Sequence, residues 1–132
     1  MRVLLPLKFS RLWIGFGWVL VASVILSSIF PGHLFTAINV AGADKVAHAM
    51  AYCVLMIWFS GLYARRYHAV VALALTVLGA VLELIQWRLP YRLFDPADLL
   101  ANAAGVVIGL GLSVWLLAGW CQRIESRLGY HD

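Results

Sequence analysis

A chain of 132 residues that is 64% hydrophobic and only 12% charged is not an ordinary soluble domain, which runs at about 45–50% apolar and about 25% charged. Its mean hydropathy of +0.90 places it in the membrane class. The formal charge of +4 does not argue for nucleic acid, because the basic residues sit at the ends of apolar runs and not along one stripe. Cys53 falls inside one run and Cys121 at the end of another, so both read as packing residues and not as a disulfide framework.

Four apolar runs follow in chain order, at residues 12–30, 46–63, 69–87 and 99–120. Each is near the 17–25 residues that cross about 30 Å of hydrocarbon as a helix. A spanning segment must satisfy its own backbone, so helices are expected. Pro31-Gly32 stops the first run and Pro90 ends the third. The first run has a basic start, at Arg2, Lys8 and Arg11. Its core is longer than a signal-peptide core of about 7–15 residues and no small-x-small cleavage site follows, which favours a retained helix. The sequence thus predicts an all-α membrane protein, a four-helix transmembrane bundle forming one domain over residues 1–132, with no internal repeat.

Lys and Arg set the orientation. With the N-terminus inside, the inner face holds Arg2, Lys8, Arg11, Arg65, Arg66, Arg123 and Arg127, and the outer face holds Lys45, Arg88 and Arg92. Both termini are therefore expected in the cytoplasm. Trp13, Trp58, Tyr63, Tyr67, Trp87, Tyr91, Trp115 and Trp120 are candidates for interfacial anchors.

That orientation gathers the membrane polar residues in one place. Asp44 and Lys45 open the second helix. His48 lies about 6 Å further along at 1.5 Å per residue, and Tyr52 one turn below it. Glu83 lies four residues before Trp87, at the depth of His48, with Gln86 beside it on the same face. Asp98 opens the fourth helix and Asn102 is one turn in. The loop at residues 88–97, with Arg88 and Arg92, forms a lid. Each member also has a plain reading. Asp44 can cap a helix; Asp95-Pro96-Ala97-Asp98 is a helix start with Asp95 as N-cap and Pro96 at N1, and Asp98 fits N3 or the site equally. A lone His48 is more often a satisfied interior histidine. Gln86 and Asn102 can be interhelical glue worth about 0.6–2 kcal/mol each, and Arg88 and Arg92 can snorkel. Arg92 fits a bidentate phosphate or carboxylate clamp equally well. Glu83 is harder to dismiss, since membrane carboxylates usually face a bundle interior or a wet cavity. Ala101, Gly105 and Gly109 form a small-residue face on the fourth helix, and Gly79 lies one turn below Glu83; such faces let helices approach within a chain or between copies.

The elements Asp44-Lys45-x-x-His48 with Tyr52, Glu83-x-x-Gln86, Arg92, and Asp98-x-x-x-Asn102 followed by Gly105 and Gly109 together resemble the VanZ-like family of small bacterial membrane proteins, over roughly residues 44–110. The resemblance implies a multi-pass protein of the bacterial plasma membrane. The family's named member is associated with low-level resistance to teicoplanin.

The residues leave three readings open. The first is a device that binds or moves an anionic lipid or a lipid-linked envelope intermediate, with Asp44, Lys45, His48, Tyr52, Glu83, Gln86, Arg92, Asp98 and Asn102 as the ligand set. The second is a membrane hydrolase or transferase with His48, Glu83 and Asp98 as candidate catalytic groups; no G-x-S-x-G elbow and no H-E-x-x-H helix supports it. The third is a structural scaffold or partner subunit without catalysis, in which the polar cluster is a fold-specifying network. Self-association through the Ala101/Gly105/Gly109 face is open in each reading. No cofactor is expected, and no metal is assigned, because the spacing of His48, Glu83 and Asp98 over three helices is not diagnostic.

Overall fold

A computed structural model of the chain describes residues 3–30 and 41–129. Arg2 of the inner-face tally and the Pro31-Gly32 stop lie outside the described residues. The elements are α1 (Ser10–Ile29), α2 (Ala43–Leu62), α3 (His68–Arg88), α4 (Pro96–Trp115) and a short α5 (Trp120–Arg127). The four long helices are long and apolar enough to cross a membrane. The protein is all-α, as the runs predict.

Local chemistry sets the helix ends. Asp95 caps α4, its Oδ1 accepting from the Ala97 amide at 2.9 Å, with Pro96 at the first position. Gly42 enters α2 with φ of 82°, a conformation glycine adopts without the usual steric cost. At the end of α3, Leu89 is extended (φ −87°, ψ 130°), as the residue before a proline prefers. His68, the first residue of α3, faces the end of α2, with Nε2 3.2 Å from both the Ser60 and the Tyr63 carbonyl.

The fourth run ends sooner than its apolar pattern implies. The helix stops at Trp115, Gly119 turns the chain at φ of 64°, and Trp120 begins α5. Three contacts draw the chain aside. The Trp120 indole donates to the Ile57 carbonyl at 3.0 Å. Its ring lies over Gly61, where a Cβ would collide with it. Glu125 accepts from the Lys8 amide at 2.8 Å, the Phe9 amide at 3.0 Å and the Trp13 indole at 2.9 Å. No polar residue between 112 and 120 except Ser113 marks the break, so hydropathy alone runs through it. Trp13, Trp58 and Trp120 form a three-ring cluster with centroids 5.2–5.6 Å apart; of the candidate anchors these three are packed inward, whereas Trp115 and Trp87 are exposed.

α2 is the central helix, packed on α1, α3 and α4, and its closest partner is α4. A methyl group at Gly105 would collide with the Ala49 carbonyl, and one at Gly109 would lie 2.7 Å from the Cys53 carbonyl. The small-residue face is thus filled by α2 within the chain. Below it Tyr52, Leu55, Met56, Leu75 and Val106 make the core.

Two predictions test this packing. Gly105→Ala should force α2 and α4 apart and destabilise the protein by about 1–3 kcal/mol, the usual effect of overpacking. Gly111→Ala, on the same helix with open space around its Cβ, should be neutral or stabilising by up to about 1 kcal/mol; thermal unfolding in one detergent compares the two. The second prediction concerns Glu125. Burial opposes its ionisation, but the Phe9 and Lys8 amides and the Trp13 indole outweigh that and hold its carboxyl below the ordinary 4.5. A depressed carboxyl contributes stability that is complete above its unfolded value and lost as pH falls through its folded value. Glu125→Gln should therefore lower the melting temperature at pH 7 and flatten its fall below pH 4.5.

Candidate functional site

The four long helices alternate in direction, so α1 and α3 end, and α2 and α4 begin, at one end of the bundle. α2 and α4 run parallel, and their close approach places matched turns side by side. At the rim, Lys45 Nζ meets Asp95 Oδ2 at 2.6 Å, Asp98 Oδ1 at 2.9 Å and Asp44 Oδ2 at 3.3 Å. Asp95 thus caps α4 with one oxygen and holds Lys45 with the other. The Lys45 ammonium bonded to it keeps the Asp95 carboxyl below the usual carboxylate range. One turn in, His48 Nδ1 lies 3.0 Å from Asn102 Oδ1, and His48 Nε2 lies 3.9 Å from Asp98 Oδ2.

Glu83 reaches the same place from α3. It is 2% exposed, and its Oε2 has no hydrogen-bond partner. One ligating atom each from His48, Glu83 and Asp98 lies within 4.8 Å of the other two. Tyr52 is equally buried and its hydroxyl is also without a partner. Gly79, one turn below Glu83, makes room for the Tyr52 ring and the Asn102 side chain, which lie 3.2–3.4 Å from where its Cβ would be.

The remaining members turn toward α1. Gln86 Nε2 donates to the Ser28 carbonyl at 2.9 Å. Arg92 Nη2 donates to the Ser27 and Phe30 carbonyls at 3.2 and 2.9 Å, while its Nε is buried without a partner. Tyr91 donates to the Ile29 carbonyl at 2.8 Å. These donors satisfy the carbonyls that a helix end leaves free. Arg88 instead lies over the Trp87 ring at 5.7 Å. The nine residues of the expected ligand set therefore lie at this end, with different tasks: the Lys45 ammonium bonds three carboxylates, and Arg92 is partly committed to α1.

A cavity of about 200 Å³ opens here, lined by Ser27, Asp44, His48, Tyr52, Gln86 and Arg92 among others. Beside it an apolar groove of about 750 Å³ runs between α1 and α2, lined by residues that include Leu20, Leu26, Met50 and Val54. The two share Val24, Ser27 and Ala51.

Residues 2–117 match the family model for VanZ/LLP1. The chain belongs to the VanZ/LLP1 family. No curated protein and no solved structure is significantly similar to it. Two features of this VanZ-family chain escape sequence reasoning. Ser27 and Ser28 join the site through their carbonyls, which every residue carries. At the opposite end Ser60, His68 and Ser113 are buried, each with a side-chain atom that has no partner; a histidine at the start of the third run is the one signal for that cluster.

The Asn102 oxygen can only accept, so His48 must hold its proton on Nδ1 when neutral. Nitrogen-15 spectra of histidine-labelled protein with the ring neutral should show His48 in the Nδ1–H form. Asn102→Ala should shift it toward the Nε2–H form that free imidazole favours.

Proposed function

We propose that this VanZ-family protein binds an anionic membrane lipid or lipid-linked envelope intermediate, with the head group in the polar cavity and the hydrocarbon chain in the groove between α1 and α2. The observation that carries this reading is the shared wall: Val24, Ser27 and Ala51 line both spaces, so one amphiphile can occupy both. Arg92 lines the cavity, and its hydrogen bonds to α1 come from Nη2, so the rest of its guanidinium can offer a charge-assisted donor to an anionic head. This reading leaves Lys45 out of that role, because its ammonium already bonds three carboxylates.

The site faces outward in this reading. Lys8, Arg11, Arg65, Arg66, Arg123 and Arg127 flank the opposite end, against Lys45, Arg88 and Arg92 here, and cytoplasmic loops carry the excess of Lys and Arg. Both termini are then cytoplasmic, in a bacterial plasma membrane, and the ligand belongs to the outer leaflet. A role with an envelope intermediate fits the family's association with glycopeptide resistance. Catalysis is not part of this reading: Ser27 and Ser28 line the cavity with His48, but the Ser27 hydroxyl donates to the Val24 carbonyl at 2.9 Å, and the His48 ring nitrogens face Asn102 and Asp98.

Native mass spectrometry of gently extracted protein tests the proposal. The wild type should retain one lipid species enriched over the membrane extract. Ala51→Trp, which fills the shared wall, should lose it with little change in melting temperature. Arg92→Ala should weaken it about tenfold or more, the worth of a hydrogen bond to a charged group. Bulk phospholipid alone, retained equally by all three, would sink the reading.

A further inference from the structure

Acceptor groups of three residues, His48, Glu83 and Asp98, converge at the site, with one ligating atom of each within 4.8 Å of the others. Because Asn102 Oδ1 accepts from His48 Nδ1 at 3.0 Å, the neutral ring presents a lone pair at Nε2. Asp98 gives Oδ1 to Lys45 and turns Oδ2 toward that lone pair at 3.9 Å, which is too long for a hydrogen bond. Glu83 adds a buried carboxylate whose Oε2 has no partner. A buried carboxylate without a partner is costly, and the usual remedies are a pairing charge or a coordinated metal.

We infer that His48 Nε2, Asp98 and Glu83 bind one divalent transition ion of the zinc class. The donor types fit: one imidazole nitrogen and two carboxylates suit zinc, whereas magnesium and calcium take nearly all-oxygen shells. The charge fits as well, since two carboxylates balance a dication. With one ligating atom from each residue within 4.8 Å of the others, small side-chain rotations reach zinc bonds of about 2.0–2.2 Å. The outer shell is in place, with Asn102 fixing the imidazole tautomer and Lys45 holding the second oxygen of Asp98. Three protein ligands leave a fourth coordination position open, as in sites where zinc handles an exchangeable ligand. The assignment stands on the acceptor cluster and does not depend on the lipid reading.

The test uses the full chain in detergent, stripped with a chelator and titrated with zinc chloride alone. One equivalent should bind, and X-ray absorption should show nitrogen and oxygen neighbours near 2.0–2.1 Å, an imidazole signature and no sulfur. Glu83→Gln and Asp98→Asn should each weaken binding roughly 100-fold or more, and Asn102→Ala, which touches no metal, roughly 10–100-fold. Circular dichroism confirms that each variant is folded, and the absorption spectrum of the wild type needs no variant. Three results would overturn the site: no saturable zinc binding by folded wild type, zinc held through sulfur, or an affinity indifferent to Glu83→Gln. Lipid retention by zinc-free protein, measured separately, would be untouched by those outcomes.

Discussion

The contact of α2 with α4 through two glycines governs the rest of the molecule. Gly105 lies on the Ala49 backbone and Gly109 on that of Cys53, so two parallel helices meet at a distance that side chains would forbid. In a membrane, helices gain no hydrophobic drive from leaving lipid, and close packing is the main source of association. That packing also fixes register. Once Ala49 faces Gly105, His48 faces Asn102 a fraction of a turn above and Lys45 faces Asp98 above that. The polar site is the continuation of the glycine contact toward the rim.

The electrostatics of the site follow from which charges that register pairs. Lys45 is bridged to three aspartates, a network that ties the start of α2 to the start of α4 and to the loop before it. Each such exposed pair is worth little alone, about 0–1 kcal/mol. Its effect on the site is larger. It removes Lys45 as a free cation, orients Asp98, and leaves the His48–Glu83–Asp98 corner rich in acceptors. Glu83, delivered by α3 beside Gly79, is the one carboxylate there that no cation of the rim reaches within hydrogen-bonding distance.

The polar constellation is legible in the sequence for a simple reason. Hydrocarbon tolerates few polar groups, so those present stand out, and helical geometry gives their depth. His48, Glu83 and Asn102 could be placed at one level by counting turns. The fold class was legible by the same logic. What was hidden is of another kind. Arg92 and Gln86 bind carbonyls of α1, and backbone acceptors leave no trace in residue type. The end of α4 at Trp115 was hidden too, because α5 is drawn aside by Trp120 on Gly61 and by Glu125 on the amides of residues 8 and 9, all pairings distant in the chain. The enclosure of Lys45 needed the loop conformation around Asp95, which no periodicity describes.

The manner in which α1 is held at the site end has a consequence for how its sequence can drift. Gln86, Tyr91 and Arg92 grip the carbonyls of Ser27, Ser28, Ile29 and Phe30, and no side chain of α1 takes part in those bonds. Replacing any of these four residues leaves its carbonyl where it was, so this anchorage tolerates almost any helix-compatible substitution on the α1 side. The vulnerability of this joint is one-sided: only changes in α3 and the loop after it remove its donors. Exchange of α1 between related chains should leave this joint intact, which frees its lipid-facing surface to follow the composition of the surrounding bilayer.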